Sequence, residues 1–462
     1  SGTFIGDDDA RFFVVQGLTA DNLGTYGLLS LTLAEAVASM TADVGDSVMI
    51  SDRASGIFDY VLASGVTPDT LSIVQCVGVA SLALLLRSRL EGNVDEFGAI
   101  GSGLDIDADN NVLAIQSAID IVGIGGVVRF SQGTYMISSH LEERTNGGRR
   151  NLVGESQKNT TIKATAGFTS VARGYMLWMG TDTTHGSYAH RMRDLRLDAN
   201  DVAVGCLFVG ENGQGDIRDC DFLNFLEVGY RTNYATDAKI TNCEFLSTNN
   251  ADSWGIVATC AGPLAPQDPS GYSFSYSVLL FSPSNEMKIR DCWFSGPSHA
   301  IWINGEHVEI EGCTLQSLGK STVADDLLVV SDGTFDADDI GNNFPIAGPM
   351  ISNNWSEGGF SRYFIRVEGY AGGVIEKNLI SGSSNPLNKV REGGILVDVP
   401  RTVVRNNQFY QFFTATPTEG RLDNAGVYFT AAALGSKQYD NTFQLTQEGN
   451  QPYEEGTADP TG

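Results

Sequence analysis

A six-residue pattern recurs along this chain, and its spacing constrains the fold more than any other feature. The pattern is apolar, any residue, Asp or Asn, Cys or Asn, any residue, apolar, as in IRDCDF (217–222), ITNCEF (240–245) and VRNNQF (404–409). Its fourth position, here called the ladder position, falls at Leu195, where leucine takes the place of cysteine, and at Cys220, Cys243, Cys292, Cys313, Asn354, Asn378, Asn407 and Asn441. Several intervals are 21 to 29 residues long; the interval of 49 predicts two coils, and those of 41 and 34 predict coils with long loops.

A second type of short apolar segment alternates with these copies. Examples are VGCLFV (204–209), AIWI (300–303) and GILV (394–397). Two or three short strands in each unit of this length are typical of a parallel β-helix, in which every coil is one turn of a tube. Successive coils stack about 4.8 Å apart, so equivalent residues lie above one another. We therefore predict an all-β chain folded as a right-handed parallel β-helix.

The cysteines of the pattern are explained best as core residues. Metal ligation, thiol catalysis and disulfide bonding are the alternatives. The chain has seven cysteines, an odd number, and no CxxC spacing, which argues against zinc and against a disulfide scaffold. A small apolar thiol packs well in a stack, and asparagine in the same stack can bond to its neighbours. We expect free, buried thiols.

The residue after the ladder position should point outward, because strand side chains alternate. This outward row reads Arg196, Asp221, Glu244, an unassigned coil, Trp293, Thr314, Trp355, Leu379 and Gln408. Asp221 and Glu244 would lie on consecutive coils with carboxyls about 5 Å apart, the separation of a retaining glycosidase pair. Trp293 and Trp355 are candidates to stack on sugar rings. The alternative is a solvated acidic edge.

The row two residues before the ladder position is rich in arginine. It reads Arg193, Arg218, Thr241, Arg290, Glu311, Ser352, Glu376 and Arg405. Arg193, Arg218 and Arg290 are candidates to hold an anionic sugar, or else they are salt-bridge partners of nearby acids.

A uronate substrate would make a lyase the alternative to a hydrolase. Asp221 and Glu244 would then hold calcium on the substrate carboxylate, and an arginine, tyrosine or histidine would take the C5 proton. The segment THGSYAHR (184–191) concentrates such groups in a loop. The alternative catalytic set is therefore His185, Tyr188, His190 and Arg218.

The second strand of each coil has an apolar outward row. We assign to it Leu207, Val257, Trp302, Leu328, Arg366, Leu396 and Tyr428. A row this apolar is not expected to face water, which predicts either a subunit interface or a sugar platform at Trp302.

Residues 94–138 contain a helix pattern followed by a strand. Val112, Ile115, Ile119 and Val122 share one helical face, and Asp109 to Asn111 are N-cap candidates. This helix would cover the open end of the tube. Asp105, Asp107 and Asp109 form an acidic helix start or, alternatively, a calcium site, since alternating carboxylates can wrap a hard cation.

The same segment resembles a known family. Phe97-Gly98-Ala99, Ala114-Ile115-Gln116, Gly125-Gly126 and Gly133-Thr134-Tyr135 match the motif that opens the β-helix of phage tailspikes and capsule depolymerases of the pectate-lyase superfamily. Gly101-Ser102-Gly103 departs from the GDG of that motif. The resemblance covers about residues 30 to 445. It implies a homotrimeric polysaccharide depolymerase, hydrolase or lyase, at a virion tail or otherwise outside the cell. A non-catalytic glycan-binding fibre is the third alternative.

The resemblance and the repeats together divide the chain into three parts. Residues 1–93 form a small N-terminal α/β adaptor segment, in which the apolar run around residues 79–90 predicts a buried helix. Residues 94–447 form the β-helix with its N-terminal cap at 94–138, and residues 448–462 form a tail. The net charge of −27 disfavours nucleic acid as a partner. The sequence contains no run of about 18 apolar residues, so no membrane span is predicted.

Overall fold

The computed structural model describes most of the repeat region and the strands of the N-terminal segment. The described residues are 29–31, 47–50, 56–62, 73–75, 82–143, 150–169, 174–179, 190–247, 253–258, 284–316, 327–331, 347–357, 363–369, 372–381, 393–410, 425–444 and 453–455.

The N-terminal segment contributes five strands. They are β1 (Leu29–Leu31), β2 (Ser47–Ile50), β3 (Gly56–Leu62), β4 (Ile73–Gln75) and β5 (Leu82–Asn93). The helix predicted for the apolar run is wrong in its described part, since β5 is a strand of 12 residues. It pairs antiparallel with β3 and β4 and then parallel with the first strand of the repeat region. A short continuous apolar run has no period that separates helix from strand, so the available strand partners decide.

A single α-helix, α1 (Ala108–Ile121), lies in the described residues and follows two 3-10 turns, Val94–Phe97 and Asp105–Asp107. Ile115 and Ile119 are buried in the main core cluster, and Val112 packs against that cluster as predicted. The helix begins earlier than expected, with Asp107 at the N-cap position and no side-chain cap bond. Its role in covering the end of the tube stays a prediction.

The remaining strands build the coils. In chain order they are β6 (Val122–Phe130), β7 (Gly133–Ser139), β8 (Leu141–Glu142), β9 (Asn151–Gly154), β10 (Thr160–Thr169), β11 (Tyr175–Met179), β12 (Arg191–Asp198), β13 (Gly205–Gly213), β14 (Asp216–Leu223), β15 (Val228–Thr236), β16 (Lys239–Thr241), β17 (Glu244–Leu246), β18 (Trp254–Ala258), β19 (Ser284–Asn285), β20 (Lys288–Arg290), β21 (Trp293–Ser295), β22 (His299–Glu306), β23 (Glu309–Glu311), β24 (Thr314–Gln316), β25 (Leu327–Ser331), β26 (Ala347–Ser352), β27 (Trp355–Glu357), β28 (Tyr363–Gly369), β29 (Gly372–Glu376), β30 (Leu379–Ser381), β31 (Gly393–Asp398), β32 (Val403–Arg405), β33 (Gln408–Tyr410), β34 (Ala425–Phe429), β35 (Lys437–Tyr439), β36 (Thr442–Gln444) and β37 (Tyr453–Glu455).

Together with β1–β5, the described strands form two long sheets. The larger, sheet A, has 25 strands; the smaller, sheet B, has 12, among them β13, β15, β18 and β22. From β16 onward each coil contributes two short strands to sheet A and one to sheet B, as in β20, β21 and β22; the coil that begins at β16 adds β19 to sheet B as well as β18. All pairings within the repeat region are parallel and link each coil to the next, for example β16 to β20 and β17 to β21. The right-handed parallel β-helix predicted from the sequence is confirmed.

A sharp corner with left-handed backbone precedes each ladder position; it separates two sheet A strands in most coils and lies within β12 and β14 in two. The corner residue is usually Asp or Asn, as at Asp219 (φ 53°), Asn242 (φ 51°) and Asn406 (φ 55°), and is Gly312 or Lys377 in two coils. Asp and Asn tolerate this conformation better than other non-glycine residues, because their short side chains bond locally. The third position of the sequence pattern is therefore a backbone requirement.

Directly after the corner, the ladder residue turns into the tube. Asn354 Nδ2 donates to Asn378 Oδ1 at 3.0 Å, and Asn378 Nδ2 donates to Asn407 Oδ1 at 3.0 Å. The same amides also donate to backbone carbonyls, such as that of Ile351 at 3.0 Å from Asn378. Each buried amide is thus satisfied by the neighbouring coils, as burial of a polar group requires.

Cysteine occupies the same place in the upstream coils. Cys220, Cys243, Cys292 and Cys313 are free and buried, as is Cys206 on the sheet B strand. Burial raises the pKa of the Cys243 and Cys292 thiols well above the ordinary value, so they are not nucleophiles. The prediction of free core thiols is confirmed for these residues. Cys260 lies outside the described residues.

The described strands do not show where one domain ends and the next begins. Strand β5 runs up to the predicted limit at residue 93 and pairs with β6 beyond it, so sheet A is continuous across this point. The division into three parts stays a prediction. No helix within the described ranges is long and apolar enough to cross a membrane.

The asparagine ladder yields a stability prediction. Replacing Asn378 with alanine removes an acceptor of Asn354 and the donor to Asn407, and leaves buried polar groups unpaired. We expect the free energy of unfolding to fall by about 2 to 4 kcal/mol, measured by guanidinium denaturation. Asn406→Gly is the control, because Asn406 is an exposed corner residue with positive φ and glycine adopts that conformation freely. Equal denaturation midpoints for the two variants would contradict the role of the ladder.

Candidate functional site

The outward row of the second strand in each sheet A coil carries the two predicted carboxylates. Here it is called the carboxylate row. Register pairs Arg196 with Asp221, Asp221 with Glu244, and Glu244 with Trp293. The row continues through Thr314, Trp355, Leu379 and Gln408. The predicted unassigned coil before Trp293 is wrong, because β17 pairs directly with β21. Trp293 is consequently the immediate neighbour of Glu244.

Asp221 holds its predicted place in the row but not its predicted exposure. Its side chain is fully buried, because residues of the β9–β10 turn lie over it. Oδ1 accepts a bond of 2.5 Å from Gln157 Nε2. Oδ2 accepts from Arg196 Nε at 2.9 Å and Nη2 at 2.7 Å, and from Lys158 at 3.1 Å. The expectation that Asp221 faces solvent is wrong, and its negative charge is compensated by two cations.

Lys158 joins the two carboxylates. Its Nζ lies 2.7 Å from Glu244 Oε2 and 3.1 Å from Asp221 Oδ2. Partial burial acts to lower the pKa of Lys158, but hydrogen bonds to Glu244 and Asp221 outweigh it and raise the pKa above the ordinary value. Lys158 is therefore an ammonium ion at neutral pH and serves as a charge partner rather than as a base. Glu244, 13% exposed, is the carboxylate of the pair that reaches the surface.

The tryptophans differ in what they offer to a ligand. Trp293 and Trp355 are 42% and 47% exposed. They lie on the carboxylate row with one strand, that of Thr314, between them. Both present an indole suited to stacking on an apolar sugar face. Trp302 is only 5% exposed and belongs to a buried cluster with Trp178, Phe208 and Val257. The sugar platform predicted at Trp302 is not open in this structure.

The predicted arginine row has the expected register. Arg193 pairs with Arg218, Arg218 with Thr241, and Thr241 with Arg290. Arg290 is ion-paired with Glu309 and, at 3.5 Å, with Glu311. Its charge is therefore compensated by two glutamates of the next coil. A cavity of about 230 Å³ lies over the upstream part, lined by Arg191, Arg193 and Arg218 with Asn151, Asp216 and neighbouring apolar residues.

Two residues of the alternative catalytic set, His190 and Arg218, lie in the described part of the chain. His185 and Tyr188 lie outside the described residues, and Arg218 is exposed. His190 is buried, 2% exposed, with Nδ1 3.4 Å from Glu143 Oε2, and Glu143 is paired with the buried Arg150. A polymer on the outside of the tube cannot reach this imidazole, so a surface role for His190 is wrong in this structure.

The acidic segment before α1 does not gather into a cation cage. Asp107 accepts a bond from Ser102, and Asp109 accepts one from Ser138. Within the described ranges no group of three or more His, Cys, Asp or Glu residues is arranged to hold a metal ion. Calcium at Asp105, Asp107 and Asp109 stays a prediction without a supporting geometry.

The apolar outward row of sheet B differs from the prediction at its start. Leu207 pairs with Tyr230 and lies in the main core, and the outward position belongs to Phe208, paired with Arg231. Val257, Trp302, Leu328, Arg366, Leu396 and Tyr428 share the row as predicted. Val257 and Leu396 are already buried within one chain, 0% and 5% exposed. Their apolar character therefore does not require a second subunit.

Three residues of this surface were not identified from the sequence. Gln157 and Lys158 belong to the turn between β9 and β10, upstream of the first copy of the repeat pattern, so no spacing relates them to Asp221. Arg191 precedes its ladder position by four residues and lies on the row beside the arginine row. The sequence could have identified Arg191 by its positive charge two residues before Arg193.

Comparison with known proteins places the fold. The family model described as rhamnogalacturonase A/epimerase, pectate lyase-like, matches residues 92–337. A mutant tailspike of Escherichia coli bacteriophage HK620, solved with a pentasaccharide, shares 12% identity over 79% of this chain and 65% of its own, with a TM-score of 0.53. The gp42 tailspike of Acinetobacter phage vb_AbaP_AS12 shares 11% identity over 92% and 75%, with a TM-score of 0.51.

A third similar structure is not a phage protein. The surface protein and adhesin PfbA of Streptococcus pneumoniae shares 13% identity over 79% of this chain and 100% of its own, with a TM-score of 0.50. No curated protein sequence matches the chain. At these identities the structural likeness shows the fold and leaves the chemistry to the residues of this chain.

The buried histidine yields a pH prediction. Burial, with a smaller contribution from Arg150, lowers the pKa of His190 to about 4, whereas an unfolded histidine titrates near 6.5. The folded state binds fewer protons, so stability is complete above about pH 6.5 and falls as the pH drops towards 4, by about 3 kcal/mol in all. Denaturant unfolding of wild type and His190→Gln between pH 7 and 4.5 measures this. An unchanged pH dependence in the variant would refute it.

Proposed function

Because the chain belongs to the pectate-lyase-like family of rhamnogalacturonase A and epimerase domains, we propose that it is a polysaccharide depolymerase of the phage-tailspike type. The β-helix fold that it shares with two phage tailspikes supports this proposal and a location at the virion tail, outside the cell. The substrate is an acidic bacterial or marine polysaccharide lying along the outer face of sheet A. One observation carries the proposal: register places Asp221, Glu244 and the exposed Trp293 on three consecutive strands.

The first mechanism is hydrolysis by the carboxylate pair. Neighbouring strands are about 4.8 Å apart, close to the carboxyl separation of retaining glycosidases. Asp221 attacks the anomeric carbon and forms a glycosyl ester, while Glu244, once released from Lys158 and protonated, donates its proton to the leaving glycosidic oxygen. A water molecule then cleaves the ester, and Glu244 takes the proton of that water. Asp221 becomes accessible only when Gln157 and Lys158 release it, so this mechanism requires the β9–β10 turn to move on substrate binding.

β-Elimination on a uronate polymer is the second mechanism. The cations around the site favour it, since Lys158, Arg196 and the upstream arginines can neutralise a substrate carboxylate and so acidify the C5 proton. Lys158 is an ammonium ion and cannot take that proton, so the base must be another group. The products of elimination carry a new double bond that absorbs in the near ultraviolet, and the products of hydrolysis do not.

Glycan binding without cleavage is the third candidate. It is favoured by the burial of Asp221 and by the ion pairs that occupy both carboxylates, which leave the exposed Trp293 and Trp355 as the accessible ligand groups. A binder leaves the polymer length unchanged, so viscosity and product size distinguish it from both enzymes.

A homotrimer is part of the proposal and rests on the family resemblance of the N-terminal motif. We expect light scattering to give three times the chain mass of 49.4 kDa, because tailspikes of this type assemble as trimers. Since Val257 and Leu396 are buried within one chain, we do not place the contact on the sheet B row. A monomer at concentrations up to the micromolar range would refute the trimer.

The carboxylate prediction is tested on the polysaccharide whose viscosity falls in a screen of bacterial capsules and acidic marine polysaccharides. Glu244→Gln should lower the cleavage rate about 10²- to 10⁴-fold, the usual effect of losing a general acid. Glu376→Gln is the matched control, since Glu376 is 16% exposed, also lies on sheet A and is also ion-paired, to Arg405. Its activity should remain that of the wild type.

Asp221→Asn is a second variant with a different expected signature. It should lower both activity and the denaturation midpoint, because the buried carboxylate neutralises Arg196 and Lys158. Near wild-type cleavage by both variants would exclude the pair as the catalytic groups.

A further inference from the structure

Three arginines converge at the upstream end of the outer face of sheet A. Arg191 and Arg193 lie on β12, two residues apart and on the same face, and Arg218 lies on β14. Arg193 and Arg218 are directly paired in register, so their side chains start from adjacent strands. Here Arg191, Arg193 and Arg218 are called the arginine triad. All three line the cavity of about 230 Å³.

The triad lacks the close ion pairs that neutralise other arginines of sheet A, although one carboxylate, Asp216, also lines its cavity. Arg290 and Arg405, on the same row further along, are each ion-paired with a glutamate of a neighbouring coil. Among the described residues, Arg193 has only Asp194 at 3.9 Å, and neither Arg191 nor Arg218 forms an ion pair. Like charges at directly paired strand positions repel each other. An anion in the cavity would remove this repulsion.

The cavity and its other lining groups limit what that anion can be. A volume of about 230 Å³ accommodates a charged group together with part of a sugar ring. Guanidinium groups bind carboxylate, sulfate and phosphate oxygens in pairs, with a geometry that lysine does not provide. Asp216 pairs in register with Arg191 and also lines the cavity, so three arginines and one carboxylate leave a net charge of +2 (three minus one) to attract an anion.

The triad lies beside the proposed cleavage site on the same strands. Arg196 follows Arg193 on β12, and Asp221 follows Arg218 on β14, in each case across one corner. A polymer that extends from the carboxylate row across the corner therefore enters the cavity with its neighbouring sugar unit.

We propose that Arg191, Arg193 and Arg218 form an anion-binding subsite that takes the carboxylate or sulfate group of an acidic polysaccharide. The subsite rests on the proposed function for its polymer substrate, and it deepens that function by assigning the residues that bind the anionic group of the polymer. The recognition of the anion depends only on the triad and is measurable without cleavage.

The test uses the intact protein and four probes: inorganic sulfate, an oligogalacturonate, a sulfated neutral oligosaccharide and an unsulfated neutral oligosaccharide of the same length. Isothermal titration should show binding of the anionic oligosaccharides at least tenfold tighter than of the neutral one. The comparison of galacturonate with sulfate ester decides which anion the cavity prefers. Sulfate should raise the melting temperature of the wild type.

Arg218→Gln and Arg193→Gln are the test variants, and Arg405→Gln is the control. Each test variant should bind the anionic probes at least tenfold more weakly, and should melt no lower than the wild type without anion, because removing one charge relieves the repulsion. Arg405→Gln should bind like the wild type, because Arg405 lies on the same row but is paired with Glu376. Equal binding by all four proteins, or equal preference for neutral and anionic probes, would overturn the proposal.

The two proposals can fail separately. Triad-dependent binding of anionic oligosaccharides without any cleavage contradicts the depolymerase and supports the subsite. Cleavage that depends on Glu244 but is unaffected by Arg193→Gln and Arg218→Gln contradicts the subsite and supports the depolymerase.

Discussion

The corner and the ladder residue that follows it determine which side chains of this protein face outward. At each corner a residue with positive φ, such as Asp219 or Asn242, bends the chain sharply. The next residue then enters the core, where Asn378 and its neighbours bond from coil to coil. Since strand side chains alternate, this one buried position determines the orientation of every neighbour. Asp221 and Glu244 share a row because each directly follows a ladder cysteine.

This dependence explains which parts of the structure the sequence could predict. The two outward rows of sheet A were predictable because, in every copy, the corner residue and the ladder residue show which alternate side chains point out of the tube. On sheet B no polar residue shows which side chains point outward. Cys206, Leu207 and Phe208 are all apolar and all buried, so Leu207 was assigned to the wrong face. The interval between Cys243 and Cys292 was read as two coils because spacing alone cannot separate an extra coil from an insertion; the direct pairing of Glu244 with Trp293 decides it.

The burial of Asp221 shows the limit of row-based prediction at the candidate site. Alternation correctly places Asp221 outside the tube, yet outside is not the same as exposed. Gln157 and Lys158 reach it from a turn more than sixty residues earlier in the chain. A carboxylate beneath such a turn is stabilised by Arg196 and Lys158, and the same contacts restrict its access to a sugar. A turn that both stabilises a carboxylate and covers it is suited to gating the site.

The overall charge of the protein gives the arginine triad its importance. With a net charge of −27, the chain repels an acidic polymer at distances up to about a Debye length, near 8 Å at physiological ionic strength. Attraction must therefore come from contacts shorter than this. In the proposed subsite Arg193 and Arg218 supply them, in a cavity whose charged lining residues are three arginines and one carboxylate, Asp216. Added salt first screens the long-range repulsion and only at higher concentration competes for the guanidinium groups. Association of an anionic polysaccharide with this surface should therefore be fastest at intermediate ionic strength, unlike that of a basic protein, whose attraction to polyanions weakens steadily with salt.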